Sequence, residues 1–209
     1  MVTGVQHIIF DLGGVLLNID YQLTENAFVA AGISNFRELY SQLQQTPLFD
    51  DLEMGRIGQK EFLDAMHKAS PVAITDEQIL TAWNAMLLDF PLRRLQILQQ
   101  LRMHHDLFLL SNTNIIHEIA FNDILMNTRS IPSIATFFDR AYFSHRVGLR
   151  KPMKEIFQIV IDENGLKPSE TLFIDDSPQH IEGAKQVGIQ TIYLQKGMTI
   201  ENDIFKAVR

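Results

Sequence analysis

Four stretches of this chain each follow an apolar run with a side chain that can do chemistry. Ile8, Ile9 and Phe10 deliver a single carboxylate, Asp11, into the glycine pair Gly13 and Gly14. The run DLFLL at 106–110 is followed by Ser111 and Asn112, RAYFS at 140–144 by Lys151 a few residues on, and TLFID at 171–175 closes on Asp175 with Asp176 behind it. Brought to one place, two acidic positions, a lysine and a hydroxyl would make a site for a phosphate and a hard cation. Each residue alone also has a plainer reading. An acid ending a strand serves as a turn former, Ser111 and Asn112 as a turn, Lys151 as a solvated loop residue, and DDSP as a helix N-cap. For Asp11 alone the two readings weigh equally. Turn chemistry does not explain the conjunction, in which four strand ends each carry the required group in the required order.

The elements that must position these residues are legible in the pattern. The apolar runs VQHIIF at 5–10, DLFLL, RAYFS, TLFID and IQTIYL at 189–194 read as strands. Between the later ones, apolar residues fall at helical spacing, as with Ile156, Phe157, Val160 and Ile161, and then Ile181, Ala184 and Val187 before Gly188. Strand and helix in alternation predict an α/β fold with a Rossmann-like, parallel five-stranded sheet, whose ligands sit beyond the carboxyl ends of the strands. The interval from about 18 to 105 reads as helices only, with Thr75 as an N-cap, Glu77 inside its first turn, Pro71 and Pro91 as boundaries, and Gly55 and Gly58 at a turn. The expected division is therefore a core of residues 1–17 and 90–209 with an all-helical insertion at 18–89. A last helix, near 91–103, leads into the second strand and is assigned to the core.

Composition limits what such a site can act on. With 209 residues and 46% hydrophobic content the chain can bury a sizeable core. Its net charge of -7 argues against a nucleic-acid or anionic-membrane surface and for a small-molecule partner. There is no cysteine, which excludes disulfides, thiolate metal sites and a cysteine nucleophile. The start MVTGVQHIIF lacks a basic leader and no apolar run approaches the roughly 20 residues that span a bilayer, so a cytoplasmic location is expected.

These motifs together resemble the haloacid dehalogenase superfamily, whose four signatures appear as FDLGGV with Asp11, LLSNT with Ser111, RKP with Lys151 and FIDDSP with Asp175 and Asp176. The resemblance spans about 7 to 194, and the helical insertion is similar to the family's α-helical cap. Within the family, FDLGGVLL, LSNTN and GLRKP look most like the sugar-phosphate phosphatases typified by α-glucose-1-phosphate phosphatase. The resemblance implies a phosphoric monoester hydrolase in which Asp11 attacks phosphorus and forms an aspartyl-phosphate. It implies Mg²⁺ on Asp11, Asp176 and the Gly13 carbonyl, with Ser111 and Asn112 on the substrate phosphate and Lys151 neutralising its charge. Asp175 would steady Lys151 or its loop.

At Gly13 the chain departs from the family, most of whose phosphatases carry there a second aspartate that protonates the leaving oxygen and then activates water. Glycine keeps the carbonyl ligand and loses that acid, so turnover should be slow unless another acid substitutes. Asp20, nine positions after Asp11, is the nearest substitute, and it reads equally as the cap of a helix beginning near Tyr21. His180, where relatives often have an acid, is assigned no role. A haloacid dehalogenase and a catalytically weakened binding protein are the alternatives. In the insertion Asp50, Asp51, Glu53, Arg56 and Trp83 could face the cleft, or be solvated or, for Trp83, core. The expected partner is a small phosphorylated metabolite, by preference a sugar phosphate, with neither nucleic acid nor membrane.

Overall fold

A computed structural model describes residues 4–44 and 46–206. Its centre is a parallel sheet of β1 (His7–Phe10), β2 (Asp106–Ser111), β3 (Arg140–Phe143), β4 (Thr171–Asp175) and β5 (Gln190–Tyr193), in the order β3-β2-β1-β4-β5. The inner strands are apolar on both faces, as helices on either side of a parallel sheet require. Ile8, Phe10, Leu107, Leu109, Leu172 and Ile174 point into one apolar cluster, and Ile9, Phe108, Leu110 and Phe173 into the other. Side chains of this size contribute about 1.5–3 kcal/mol each when fully buried. The five expected strands all form, each within two residues of its predicted ends.

Between β1 and β2 the chain makes α1 (Tyr21–Ala30), α2 (Phe36–Gln44), α3 (Leu48–Glu53), α4 (Gln59–Ala69) and α5 (Asp76–Asn84) before reaching α6 (Leu92–Leu101). The first five share their own cluster, built on Phe28, Phe62, Ile79 and Trp83. Thr75 caps α5 and Glu77 lies in its first turn, as expected, and Gln78 returns the bond, its Oε1 accepting from the Thr75 N–H at 2.9 Å. The two crossings between sheet and insertion run side by side. Asn18 N–H donates to Asp89 O, Leu88 N–H to Asn18 O and Asp20 N–H to Met86 O, at 2.9–3.0 Å.

The remaining helices cover the sheet. α6, through Leu95, Ile97, Leu98 and Leu101, and α7 (Ile115–Arg129), through Phe121 and Leu125, join the first cluster. The short α8 (Ser144–Val147) follows β3. α9 (Lys154–Asn164) and α10 (Pro178–Lys185) pack on the second cluster. Because β1 has β2 on one side and β4 on the other, strand order reverses at its carboxyl end, and a crevice opens there. Among the described residues no helix is long and apolar enough to cross a membrane.

Candidate active site

The sheet register assembles the site. Phe10 lies opposite Leu109 on β2 and Ile174 on β4, so the next residue, Asp11, emerges level with Leu110 and Asp175, one step below Ser111. Its N–H still donates to Ile174 O at 3.0 Å, which holds the carboxylate at the strand end. Lys151 reaches this point from the loop after α8. Its ammonium has no exposed surface and lies 2.7 Å from Asp11 Oδ1 and 2.7 Å from Asp175 Oδ2. The Asn112 carboxamide fixes the lysine's backbone from both sides, donating to Lys151 O at 2.9 Å and accepting from Lys151 N–H at 2.8 Å. Asn112, which the sequence assigned to the substrate, thus has its side chain occupied as a clamp. Ser111 is buried at the end of β2, and Thr113 behind it exchanges bonds with the Ser144 hydroxyl at 2.8 and 2.9 Å.

The three carboxylates differ in charge state. Asp175 accepts from Lys151, from the Ser177 N–H at 2.7 Å and from His180 Nδ1 at 3.0 Å. Against a burial that pushes it up, Lys151 and His180 pull its carboxyl down to about 2. Asp11 is pushed up to about 7, first by burial and then by Asp175 and Asp176, with Lys151 opposing. The same two carboxylates hold the Lys151 ammonium above the usual lysine range in spite of its burial. The pairing is therefore real, and the surplus is negative: one touching ammonium serves a cluster of three acids. Asp176 is exposed, and its carboxyl is raised by desolvation and by Asp175 beside it.

A divalent cation fits this surplus. Asp176 leans on the glycine turn so closely that a Cβ on Gly14, which holds φ +74, would stand 2.1 Å from its Oδ2. That contact brings the Asp176 carboxylate beside the Gly13–Gly14 backbone, and Asp11, Asp176 and the Gly13 carbonyl supply hard oxygen donors of the kind such an ion takes. Donor atoms of Asp11, Asp175 and His180 also lie within 4.8 Å of one another. Asp175, however, is spent on Lys151, Ser177 and His180, so that trio has few lone pairs left to offer.

Beside the site, at Asn112–Asn114, the insertion and the core line a cavity of about 420 Å³. Phe36, Tyr40, Phe49 and Trp83 give it aromatic walls, and Gln22, Glu25, Arg37, Glu53 and Asn112 give it polar ones. Tyr21 also lines it. The residue is 71% exposed, and its phenol is pushed up to about 12 by desolvation and then by the charges of Asp176, Asp11 and Glu53. Asp20 is exposed and caps α1, its Oδ1 accepting from Gln22 N–H at 2.9 Å. Of the other insertion residues singled out, Asp51 pairs outward with Arg56, Trp83 is buried in the wall, and Asp50 and Glu53 both reach Arg150 of the core.

Sequence reasoning overlooked His117. Its ring stacks on Trp83 at 5.3 Å, and its Nε2 lies 3.2 Å from Trp83 O, a carbonyl that can only accept, so the proton sits on Nε2. Burial lowers its pKa to about 4, and the ring is a neutral pin between α7 and α5. Lying one turn past LSNTN with no partner in sequence, it gave no signal.

The model of the haloacid dehalogenase-like hydrolases matches residues 5–188. A D-ribitol-5-phosphate phosphatase of Bacteroides thetaiotaomicron is 30% identical over 200 residues, 92% of this chain and 93% of that protein. The crystal structure of a HAD family enzyme from the same organism superposes with a TM-score of 0.86 at 34% identity, covering 93% of this chain and 95% of the other. Its magnesium complex gives 0.85 at 34% identity with the same coverage.

Proposed function

Because this chain belongs to the haloacid dehalogenase-like hydrolases, we propose that it is a Mg²⁺-dependent phosphatase acting on a small phosphorylated metabolite of the sugar or sugar-alcohol class. The observation that carries this is the Lys151 ammonium, wholly buried and 2.7 Å from both Asp11 and Asp175, with Asp176 beside the Gly13–Gly14 turn. Asp11 is the nucleophile, and the chain is a phosphoric monoester hydrolase. Its carboxylate oxygen bonds to phosphorus as the ester bond breaks, giving an aspartyl-phosphate that water then hydrolyses. Lys151 neutralises charge on the phosphoryl oxygens and keeps Asp11 aimed along the line of attack, and Ser111 donates to one of those oxygens. Asp175 holds Lys151, and Asn112 fixes the loop that carries it. Asp11, Asp176 and the Gly13 carbonyl would hold Mg²⁺, which when bound withdraws charge from the phosphoryl group.

Residues 18–89 form the cap. Its cavity suits a short polyhydroxylated chain or ring, with hydroxyls on Gln22, Glu25 and Arg37 and C–H faces on the aromatic walls. The relative named a D-ribitol-5-phosphate phosphatase supports that class. The dehalogenase and decayed-site alternatives are not favoured, since neither uses a cation cradle of hard oxygens. The enzyme is assigned to the cytoplasm. The test is phosphate release from a panel of phosphorylated metabolites, with Mg²⁺ and with chelator. Metal-dependent release from sugar or polyol phosphates is expected; full activity in chelator, or none on any monoester, would overturn the reading.

A further inference from the structure

With glycine at 13, the proton for the leaving oxygen must come from another residue. Asp20 is committed to the α1 N-cap. Of the two carboxylates lining the cavity, Glu25 is held at 2.6 Å by Arg37, a residue of the insertion itself. The other is Glu53, the last residue of α3. It lines the cavity with Tyr21 and Asn112, and its Oε2 is buried without a hydrogen-bond partner, 3.3 Å from Arg150 Nε. Arg150 directly precedes Lys151, so Glu53 is tied to the loop that carries the ammonium on the nucleophile. We propose that Glu53 is the general acid and base of this enzyme, supplied from the cap in place of the absent second aspartate; the proposal rests on the phosphatase reading.

The reaction runs in two half-reactions. As Asp11 bonds to phosphorus, the ester P–O bond breaks with its electron pair on the departing oxygen, and the Glu53 carboxyl proton passes to that oxygen. This releases the alcohol and leaves a Glu53 carboxylate. Water then bonds to phosphorus while the bond to Asp11 breaks, and Glu53 takes the water's proton, so both side chains return to their starting states. The groups facing Glu53 decide whether it can hold a proton at rest. Arg150, Lys151 and His180 of the core favour the anion. Burial, Asp50 beside it and the negative end of α3 oppose it, and Tyr21 shares the cleft; the net effect raises the carboxyl above its ordinary range.

The experiment compares the intact enzyme and Glu53→Gln, with Mg²⁺, on aryl phosphates of graded phenol acidity and on D-ribitol 5-phosphate as a primary alkyl probe. In the unmodified enzyme the rate should depend weakly on leaving-group pKa. Glu53→Gln should make that dependence steep. The alkyl ester should lose about 10²–10⁴-fold, the size general acid catalysis commonly supplies, and 4-nitrophenyl phosphate should lose far less in its phenol burst. Acid-quenched variant should retain phosphorylated protein, because hydrolysis has lost its base, and the fall of kcat/KM at high pH should vanish. Glu53→Asp, which keeps the carboxyl, should restore part of that fall. An unchanged leaving-group slope in Glu53→Gln, an equal loss on all substrates without phosphoenzyme, or a newly steep slope in Asp20→Asn would overturn the proposal alone. An unmodified enzyme inert towards every ester would instead overturn the phosphatase reading. If Glu53→Gln melted below the assay temperature, the same comparison would be made with Glu53→Met, in which a wild-type slope, phosphoenzyme level and pH profile would overturn the proposal.

Discussion

Replacing Lys151 by methionine keeps the side chain's length and deletes its charge. The ammonium has no exposed surface and touches two carboxylates at 2.7 Å, so its removal leaves Asp11 buried with no cation in contact and Asp175 with only the His180 ring and the Ser177 N–H. Asp175 sits at about 2 against an ordinary 3.8. At about 1.4 kcal/mol per unit, that is worth roughly 2 kcal/mol. Because the folded value is depressed, this contribution is present above pH 3.8 and lost as pH falls from there through about 2. Breaking a buried pair by removing one partner typically costs about 3–5 kcal/mol, or about 6–20 °C in melting temperature for a chain of this size. The assay is thermal unfolding in chelator between pH 8 and pH 5. In the variant the folded carboxylates are raised, so they take up protons as pH falls and the deficit against wild type should shrink towards pH 5. A deficit below about 1 kcal/mol, or one constant across that range, would refute the idea that this ammonium holds two buried carboxylates.

Asp11→Asn should abolish turnover and keep the fold, since the amide matches the carboxylate in shape but is a poor nucleophile; near-normal phosphate release would show that Asp11 only shapes the turn. The metal-free wild type should gain stability as pH falls from 8 through 7 towards 4, because folded Asp11, at about 7, binds a proton that the unfolded chain holds only near 3.8. Melting curves of Asp11→Asn should lack that gain. Gly14→Ala puts a Cβ at φ +74 and 2.1 Å from Asp176 Oδ2, and calorimetry should show Mg²⁺ affinity reduced by about 10-fold or more, with unchanged affinity ruling out the cradle.

The parallel sheet was legible because strands buried on both faces must be continuous apolar runs, and the site because its residues follow those runs in order. Asp11, Lys151 and Asp175 meet as their positions required. Asn112 shows the limit: its place beside Ser111 was readable, but its bonds to the Lys151 backbone join residues 39 apart and leave no periodicity. The same holds for Glu53 and Asp50 against Arg150, and for His117 against Trp83, where cap and core meet through pairs that no local pattern encodes. Thr75 was readable as a cap because the signal lies within one turn of chain, yet which neighbour closed the box was decided by geometry.

The paired crossings at Asn18–Asp20 and Met86–Asp89 have an entropic consequence. Hydrogen bonds between them make the long helical excursion begin and end at neighbouring points, so the core bears little more than the closure of a loop. That closure grows only logarithmically with length, by about 0.6 kcal/mol per doubling. Helices could be added to, shortened or exchanged within the excursion at small cost to the sheet. Substrate range and chemistry are thus nearly independent variables in this architecture, except where the excursion lends a working group to the reaction. Glu53 would tie the two together, and any exchange of this cap would have to carry a carboxylate with it.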